Sequence, residues 1–246
     1  MIKYTEDRMP ESTMDPEEPT DTPSHLPAHL TIYGQLREMI LCGDLAPGQA
    51  VTIQGLTGML GGSATPVREA IRRLTSEGAL LFQGNRRVSV PVLTLAEVEA
   101  LTFGRVALEA ELARRAALVA TPALTQELRA IDAALDRAIG QGDARGYLRL
   151  NHRFHMTLYA AADSAILSQA VNGFWLRAAP SLRIMCGRLG TQNLPDMHHE
   201  TIAALDRRDP GAAAAAIARD IRQGMDNIRA VLLEAPDDAS RDAAAS

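Results

Sequence analysis

The sequence predicts a mainly α protein in two parts: a small head of three short helices and a hairpin, then an antiparallel bundle of six longer helices. Three observations carry that expectation. Hydrophobic residues make up 46% of the chain but aromatics only 4%, a balance that favours helix because strands draw on aromatic and β-branched residues. Apolar residues recur at three- and four-residue steps from about residue 29 onward, with one change of period near residues 80–93. Helix starts and stops, such as Thr-Pro, Asp-Pro and isolated Gly, punctuate the chain at intervals that suit short connections. At 246 residues the chain is ample for a buried core in one large or two small domains.

Residues 1–28 stand apart. Lys3 and Arg8 face Glu6, Asp7, Glu11, Asp15, Glu17, Glu18 and Asp21, so two positive and seven negative charges leave −5, the whole net charge of the chain. With five prolines and little apolar content, this segment reads as a disordered acidic arm. The head follows over residues 29–92. Ile32, Leu36, Met39 and Ile40 sit at helical spacing, and the run GDLAPG from Gly43 ends that helix. A second helix lies in TIQGLTGML with Thr52 as N-cap, and a third in TPVREAIRRLTSEGAL. There Thr65 is placed to cap, Pro66 fits the first helical position and Gly78 closes the far end. Two β-favouring runs around Gly84-Asn85 then read as a hairpin. Three short helices and a hairpin make a winged helix-turn-helix.

Residues 93–235 are helical throughout, and residues 236–246 read as a flexible tail. Thr94 and Glu97 form a capping box, and Thr121-Pro122 opens a helix that stops near Gly140. Three more helices follow, from Asp143, Ser164 and Leu194, and Pro180 should kink or break the second of them. Asp209-Pro210 restarts the chain for the last helix. No apolar run is long enough to span a bilayer, and the N-terminus lacks a signal-peptide pattern. Cys42 and Cys186 are isolated, which suits a reducing cytoplasm.

In the third head helix, Val67, Ala70, Ile71 and Leu74 make one apolar stripe, while Arg68, Arg72 and Arg73 lie away from most of it. Arg86 and Arg87 follow at the hairpin. Planar guanidinium forks suit phosphates and guanine edges, so this clustering points to double-stranded DNA. The stretch GDLAPGQAVTIQGLTGMLGGSATPVREAIRRLTSEGAL resembles the N-terminal winged helix of GntR-type bacterial transcription regulators. The resemblance implies that Arg68 and Arg72 contact operator bases and phosphates, with Ser63 and Thr65 at helix-start positions suited to phosphate. Ala64, Gln54 and Arg87 depart from the residues usual at their positions, which bears on the operator sequence and leaves the fold intact.

In NHRFH, Asn151 and His155 are four apart and share a helix face at the margin of the stripe formed by Tyr147, Leu150, Phe154 and Leu158. His152 and Arg153 point further round and read as surface. The pieces GRVALEAELARRAA, LNHRFHMTLYAAA and HHETIAALDRRDPGAAAAAIARDI resemble the all-helical FCD effector domain of the FadR-like branch of GntR regulators. Many members hold a metal, and the resemblance places its ligands at Asn151, His155, His198 and Asp220. Asn151 stands where the family has Asp, and Asp220 where it has His. Two imidazoles and two oxygen donors suit Zn, Ni, Mn or Fe. The alternative is a hydrogen-bonded polar core without an ion. Arg105 matches a recurrent arginine of this domain and could grip a carboxylate effector, or pair with Glu109 one turn on. Trp175 and Arg183 lie on the helix expected to line the bundle.

These readings converge on a homodimeric DNA-binding transcription regulator, most often a repressor in this family. It would read a palindromic operator under the control of a small organic acid. A metal-dependent hydrolase using the same His/Asn/Asp set is the alternative from another class; no HExxH or general base at a set spacing accompanies it. A fusion to a pyridoxal-phosphate domain would need a longer second half.

Overall fold

The computed structural model describes residues 28–83, 87–189 and 197–234. The acidic arm (apart from Ala28), the hairpin tip with Arg86, and the C-terminal tail therefore lie outside the described residues. The head comprises α1 (Ala28–Leu41), β1 (Ala50–Val51), α2 (Ile53–Leu60), α3 (Ala64–Ser76), β2 (Leu81–Phe82) and β3 (Val88–Ser89). The bundle comprises α4 (Leu95–Leu118), α5 (Pro122–Gln141), α6 (Ala144–Ala160), α7 (Ala165–Leu189), α8 (Met197–Asp206) and α9 (Pro210–Glu234).

Most starts and stops fall where side-chain chemistry places them. Thr52 accepts from Gly55 N, Thr121 from Leu124 N, and Asp209 from Ala212 N. Thr94 and Glu97 form the full reciprocal capping box. Two expectations need correction, and a third is narrowed. Ser63, not Thr65, is the N-cap of α3, which puts Pro66 in the third helical position, still within the turn whose N–H groups have no intrahelical acceptor. α5 runs past Gly140 to Gln141, because Gly142 takes the left-handed cap (φ 67°). α7 passes through Pro180 without a break. Ala178, Ala179 and Leu182 are buried on either side of it, and that burial offsets a proline cost of about 3 kcal/mol.

The small sheet has the order β1-β3-β2, all antiparallel. Val88 pairs with both Val51 and Phe82, and Ser89 with Ala50 and Leu81. β1 is only two residues long, too short to show a period in the sequence. In the bundle α4 lies along α9, with α6 and α7 against them, while α5 joins α6 to α8.

One apolar core runs through both parts, from Leu36, Ile40 and Leu74 in the head to Leu112, Phe154 and Ile217 in the bundle. Polar ties cross the seam. Arg145, in the first turn of α6, makes a bidentate pair with Asp44 in the GDLAPG turn, with N–O distances of 2.9 Å on both oxygens. Arg37 of α1 donates to Asn172 of α7 at 2.8 Å. Arg177 of α7 pairs with Glu97 and reaches the Gly78 carbonyl just past the end of α3. Arg183 packs against Gly43, where a Cβ would come within 2.3 Å of the Arg183 Cβ. Together with its φ of 67°, that contact makes Gly43 hard to replace.

Candidate metal centre and nucleic-acid interface

Helices α6, α8 and α9 bring His155, His198 and Asp220 together. Their potential ligand atoms all lie within 4.8 Å of one another. Both imidazoles are buried and Asp220 is partly buried. Each ring is held through its Nδ1. Asp132 of α5 accepts from His198 Nδ1 at 3.0 Å, and Phe154 stacks on the His198 ring at 3.9 Å between centroids. His155 Nδ1 lies 2.9 Å from the Tyr159 hydroxyl.

That last contact fixes a tautomer. Burial, and then the adjacent Glu109 carboxylate, push the Tyr159 phenol well above its ordinary pKa, so it keeps its proton. The hydroxyl donates a hydrogen bond to Glu109 Oε2 at 2.8 Å. The hydroxyl therefore accepts from His155 Nδ1–H, which leaves Nε2 as the ring atom turned to the cluster. His155 Nε2 is buried, makes no hydrogen bond, and lies 3.2 Å from Asp220 Oδ2. Desolvation raises the Asp220 pKa, but His155, then His198 and Arg105, outweigh it and hold the carboxyl below its usual value. Imidazole nitrogens and a carboxylate oxygen thus converge in one buried space, a set that a cation between them would bring into coordination. The donor set fits a divalent transition metal.

Glu109, fully buried, gathers the surrounding donors. It accepts from Arg105 Nε at 2.7 Å, Trp175 Nε1 at 3.0 Å and Tyr159. The Arg105 guanidinium also lies over the Trp175 ring at 4.5 Å and turns Nη1 to the weakly accepting Met225 Sδ at 3.6 Å. Arg105, Asn151, Trp175 and Asp220 line one small cavity of about 40 Å³. That is room for about three waters or a compact polar group.

On the head, Ser63, Thr65, Arg68, Arg72 and Arg87 are all exposed. Arg72 makes only a loose pair with Glu69 at 3.6 Å, its side chain 83% exposed. Arg73 is engaged elsewhere: it lies over the Tyr33 ring at 3.9 Å and bonds Glu77 at 3.0 Å. Tyr33 OH donates to the same carboxylate.

Residues 28–90 match the family described as bacterial regulatory proteins, gntR family, and residues 100–223 match the FCD domain. The chain belongs to the GntR family of bacterial regulatory proteins. It is 26% identical to the HTH-type transcriptional regulator McbR of Escherichia coli, over 82% of this chain and 92% of that one. A probable D-xylose utilization operon transcriptional repressor of Paenarthrobacter nicotinovorans is 29% identical, over 78% and 86% of the two chains. The solved structure of E. coli McbR/YncC superposes with a TM-score of 0.79 at 25% identity, over 85% of this chain and all of that one (100%). Family members bind DNA operators, and among the described residues no helix is long and apolar enough to cross a membrane.

In this GntR-family regulator the structure brings Asn151, His155, His198, Asp220, Arg105 and Trp175 to one region. Arg183 is not brought there; its backbone position on α7 turns it to Gly43 at the head. The Arg105–Glu109 pair exists, but buried rather than on the surface. His152, read as surface, is mostly buried edge-on to Trp175 with centroids 5.2 Å apart. Burial, then nearby Arg37, His155 and Arg105, depress its pKa to about 3. α7 covers the flank of α6 that an isolated helix would expose, which helical periodicity alone does not show. Asp132, Tyr159 and Glu109 were missed as supporting groups. Asp132 left a readable sign: a carboxylate within the apolar stripe Leu128, Ile131 and Leu135.

Proposed function

We propose that this regulator is a homodimeric repressor whose hold on a palindromic operator is set by a small carboxylate bound in the FCD cavity beside a divalent transition metal. The observation that carries the reading is the unbonded His155 Nε2 facing Asp220 Oδ2 at 3.2 Å within the His155, His198 and Asp220 cluster. His155, His198 and Asp220 would hold the ion, with Asn151 as a neutral oxygen donor from the cavity wall. A bound ion supplies Lewis-acid positions to an incoming carboxylate. Zn, Ni, Mn and Fe all accept this donor set.

The chain's own residues then act on the effector. Arg105 offers Nη1 to a second carboxylate oxygen, and Glu109 keeps the guanidinium in place. The 40 Å³ cavity favours a compact hydroxy acid or short dicarboxylate over a long acyl chain. Arg68, Arg72 and Arg87, with Ser63 and Thr65, meet bases and phosphates. The named repressor among the relatives supports repression as the sense of control.

The test combines metal analysis and ligand screening on the full chain. Purified protein should carry stoichiometric metal that chelation removes and that His155→Ala fails to retain. A thermal-shift screen of sugar acids, hydroxy acids and dicarboxylates should give a response only with metal present. Metal-free protein that binds a carboxylate equally well refutes the metal reading. Turnover of esters or phosphate esters above the rate of the free ion would favour the hydrolase alternative instead.

A further inference from the structure

The winged-helix head carries an apolar groove that phosphate contacts alone leave unused. It measures about 650 Å³ and lies between α3 and the small sheet. Ile53, Ile71, Phe82 and Val88 line it, and Phe82 is 62% exposed. Arg68, Arg72 and Arg87 stand on its walls. An apolar floor under three guanidinium groups suits an acidic peptide with interspersed apolar residues better than a sugar-phosphate backbone.

The chain contains such a peptide. Residues 9–27 hold Glu11, Asp15, Glu17, Glu18 and Asp21 with no Lys or Arg and a single His25, and interleave them with Met9, Met14, Leu26 and prolines. The segment joins α1 beside the groove. Leu30, in the first turn of α1, lines a surface depression with Arg72 and Ser76 of α3. Arg72 and Ser76 also line the apolar groove, so the two are continuous. A dozen extended residues span up to about 40 Å, twice the length of α3 at about 20 Å.

We propose that the acidic arm docks in this groove of its own head, setting carboxylates against Arg68, Arg72 and Arg87 and competing with DNA for them. The arm then acts as an intramolecular brake: only the undocked fraction binds DNA, and apparent affinity falls by that fraction. Pairing at an exposed surface makes the contact sensitive to salt. The inference rests on the head being the DNA-binding part, but its main readout needs no DNA.

The experiment places a photocrosslinker in the full chain as Phe82→p-benzoylphenylalanine. Irradiation without DNA should give a monomer-sized product whose crosslink maps to residues 9–27. Its yield should fall when a short mixed-sequence duplex is added, and between about 0.1 M and about 1 M salt. The variant Glu11→Gln, Asp15→Asn, Glu17→Gln, Glu18→Gln, Asp21→Asn should lose the crosslink and bind that duplex about threefold or more tightly. No crosslink to the arm, a crosslink to another segment, a dimer-sized product, or full yield from the neutralised arm overturns the proposal. If the crosslink forms but no variant binds duplex, the DNA-binding reading fails and the docking stands.

Discussion

Replacing Tyr159 with Phe removes one oxygen and leaves the ring packing in place, so its effects report on hydrogen bonds alone. The hydroxyl accepts from His155 Nδ1 at 2.9 Å and donates to Glu109 Oε2 at 2.8 Å. Glu109 retains Arg105 and Trp175 as donors, whereas His155 Nδ1–H loses its acceptor inside the core. An orphaned buried donor costs about 1–3 kcal/mol and a shift of the proton to Nε2 relieves part of that, so chelator-treated Tyr159→Phe should unfold about 1 kcal/mol more easily than the parent in guanidinium. The second effect is on tautomer. Freed from Tyr159, the imidazole gains by moving its proton to Nε2, where Asp220 Oδ2 waits at 3.2 Å, and metal must then displace that proton. Loss of such an orienting partner weakens metal binding by about 10–100-fold, or about 1.4–2.7 kcal/mol. With excess metal the stability gap between parent and variant should therefore widen by that further amount. Competition with a chromophoric chelator measures the affinity directly. Tyr159→Phe that binds metal within twofold of the parent would refute the tautomer argument.

Arg72→Ala should weaken binding to a DNA duplex and reduce the salt slope by about one, whereas Arg73→Ala should leave that slope nearly unchanged and cost about 0.5–1 kcal/mol of stability from its contacts with Tyr33 and Glu77; equal salt slopes for the two variants would overturn the distinction. His152 has a folded pKa near 3 against 6.5 for the unbound ring, so the unfolded chain takes up the proton first and this contribution, complete above about pH 6.5, is lost as pH falls toward 3. Between about pH 7.5 and 5.5 it should remove about 1.4 kcal/mol, a loss that His152→Phe abolishes in urea titrations at the two pH values. Arg145→Ala, which cuts the exposed tie to Asp44, should cost at most about 1 kcal/mol of stability and leave metal content unchanged, yet narrow the difference in DNA affinity with and without a carboxylate hit; an undiminished difference would show that this tie carries no coupling.

What the sequence made legible was whatever depends on one element at a time. Caps at Thr52, Thr94, Thr121 and Asp209 act over three or four residues and were readable. So was the shared face of Asn151 and His155, because helical spacing alone sets it. The neighbours were not. His152 reads as exposed on an isolated α6, and only α7 laid across that flank buries it. Arg73 and Arg72 look equivalent in RR, and Tyr33 of α1 with Glu77 separates a pinned guanidinium from one only loosely paired. Arg183 looked like a cavity residue because α7 lines the bundle, but α7 also borders the head, and its rotation gives Trp175 to one and Arg183 to the other. Asp132 and Tyr159 support imidazoles from 66 and four residues away, and the first of those separations leaves no local trace beyond a charge in an apolar stripe.

That double placement of α7 bears on how a small cavity could control a distant head. Trp175 walls the cavity and bonds Glu109, while Asn172, less than one turn before it, holds Arg37 of α1. Arg177, two residues after Trp175, reaches the Gly78 carbonyl that follows α3. α6 makes the same bridge, from His155 in the cluster to Arg145 on Asp44, about 15 Å apart along the helix. A carboxylate that draws Arg105 towards the metal side must move the Trp175 ring beneath its guanidinium, and α7 answers as a rigid element. The ties at the seam are polar and partly exposed, each worth about 1 kcal/mol or less. Their sum is then of the order of about 1–3 kcal/mol, the range in which effectors commonly change affinity by about 5–150-fold. The apolar core shared across the seam holds head and bundle together, so a small ligand would act on the head through these polar ties and not by separating the two parts.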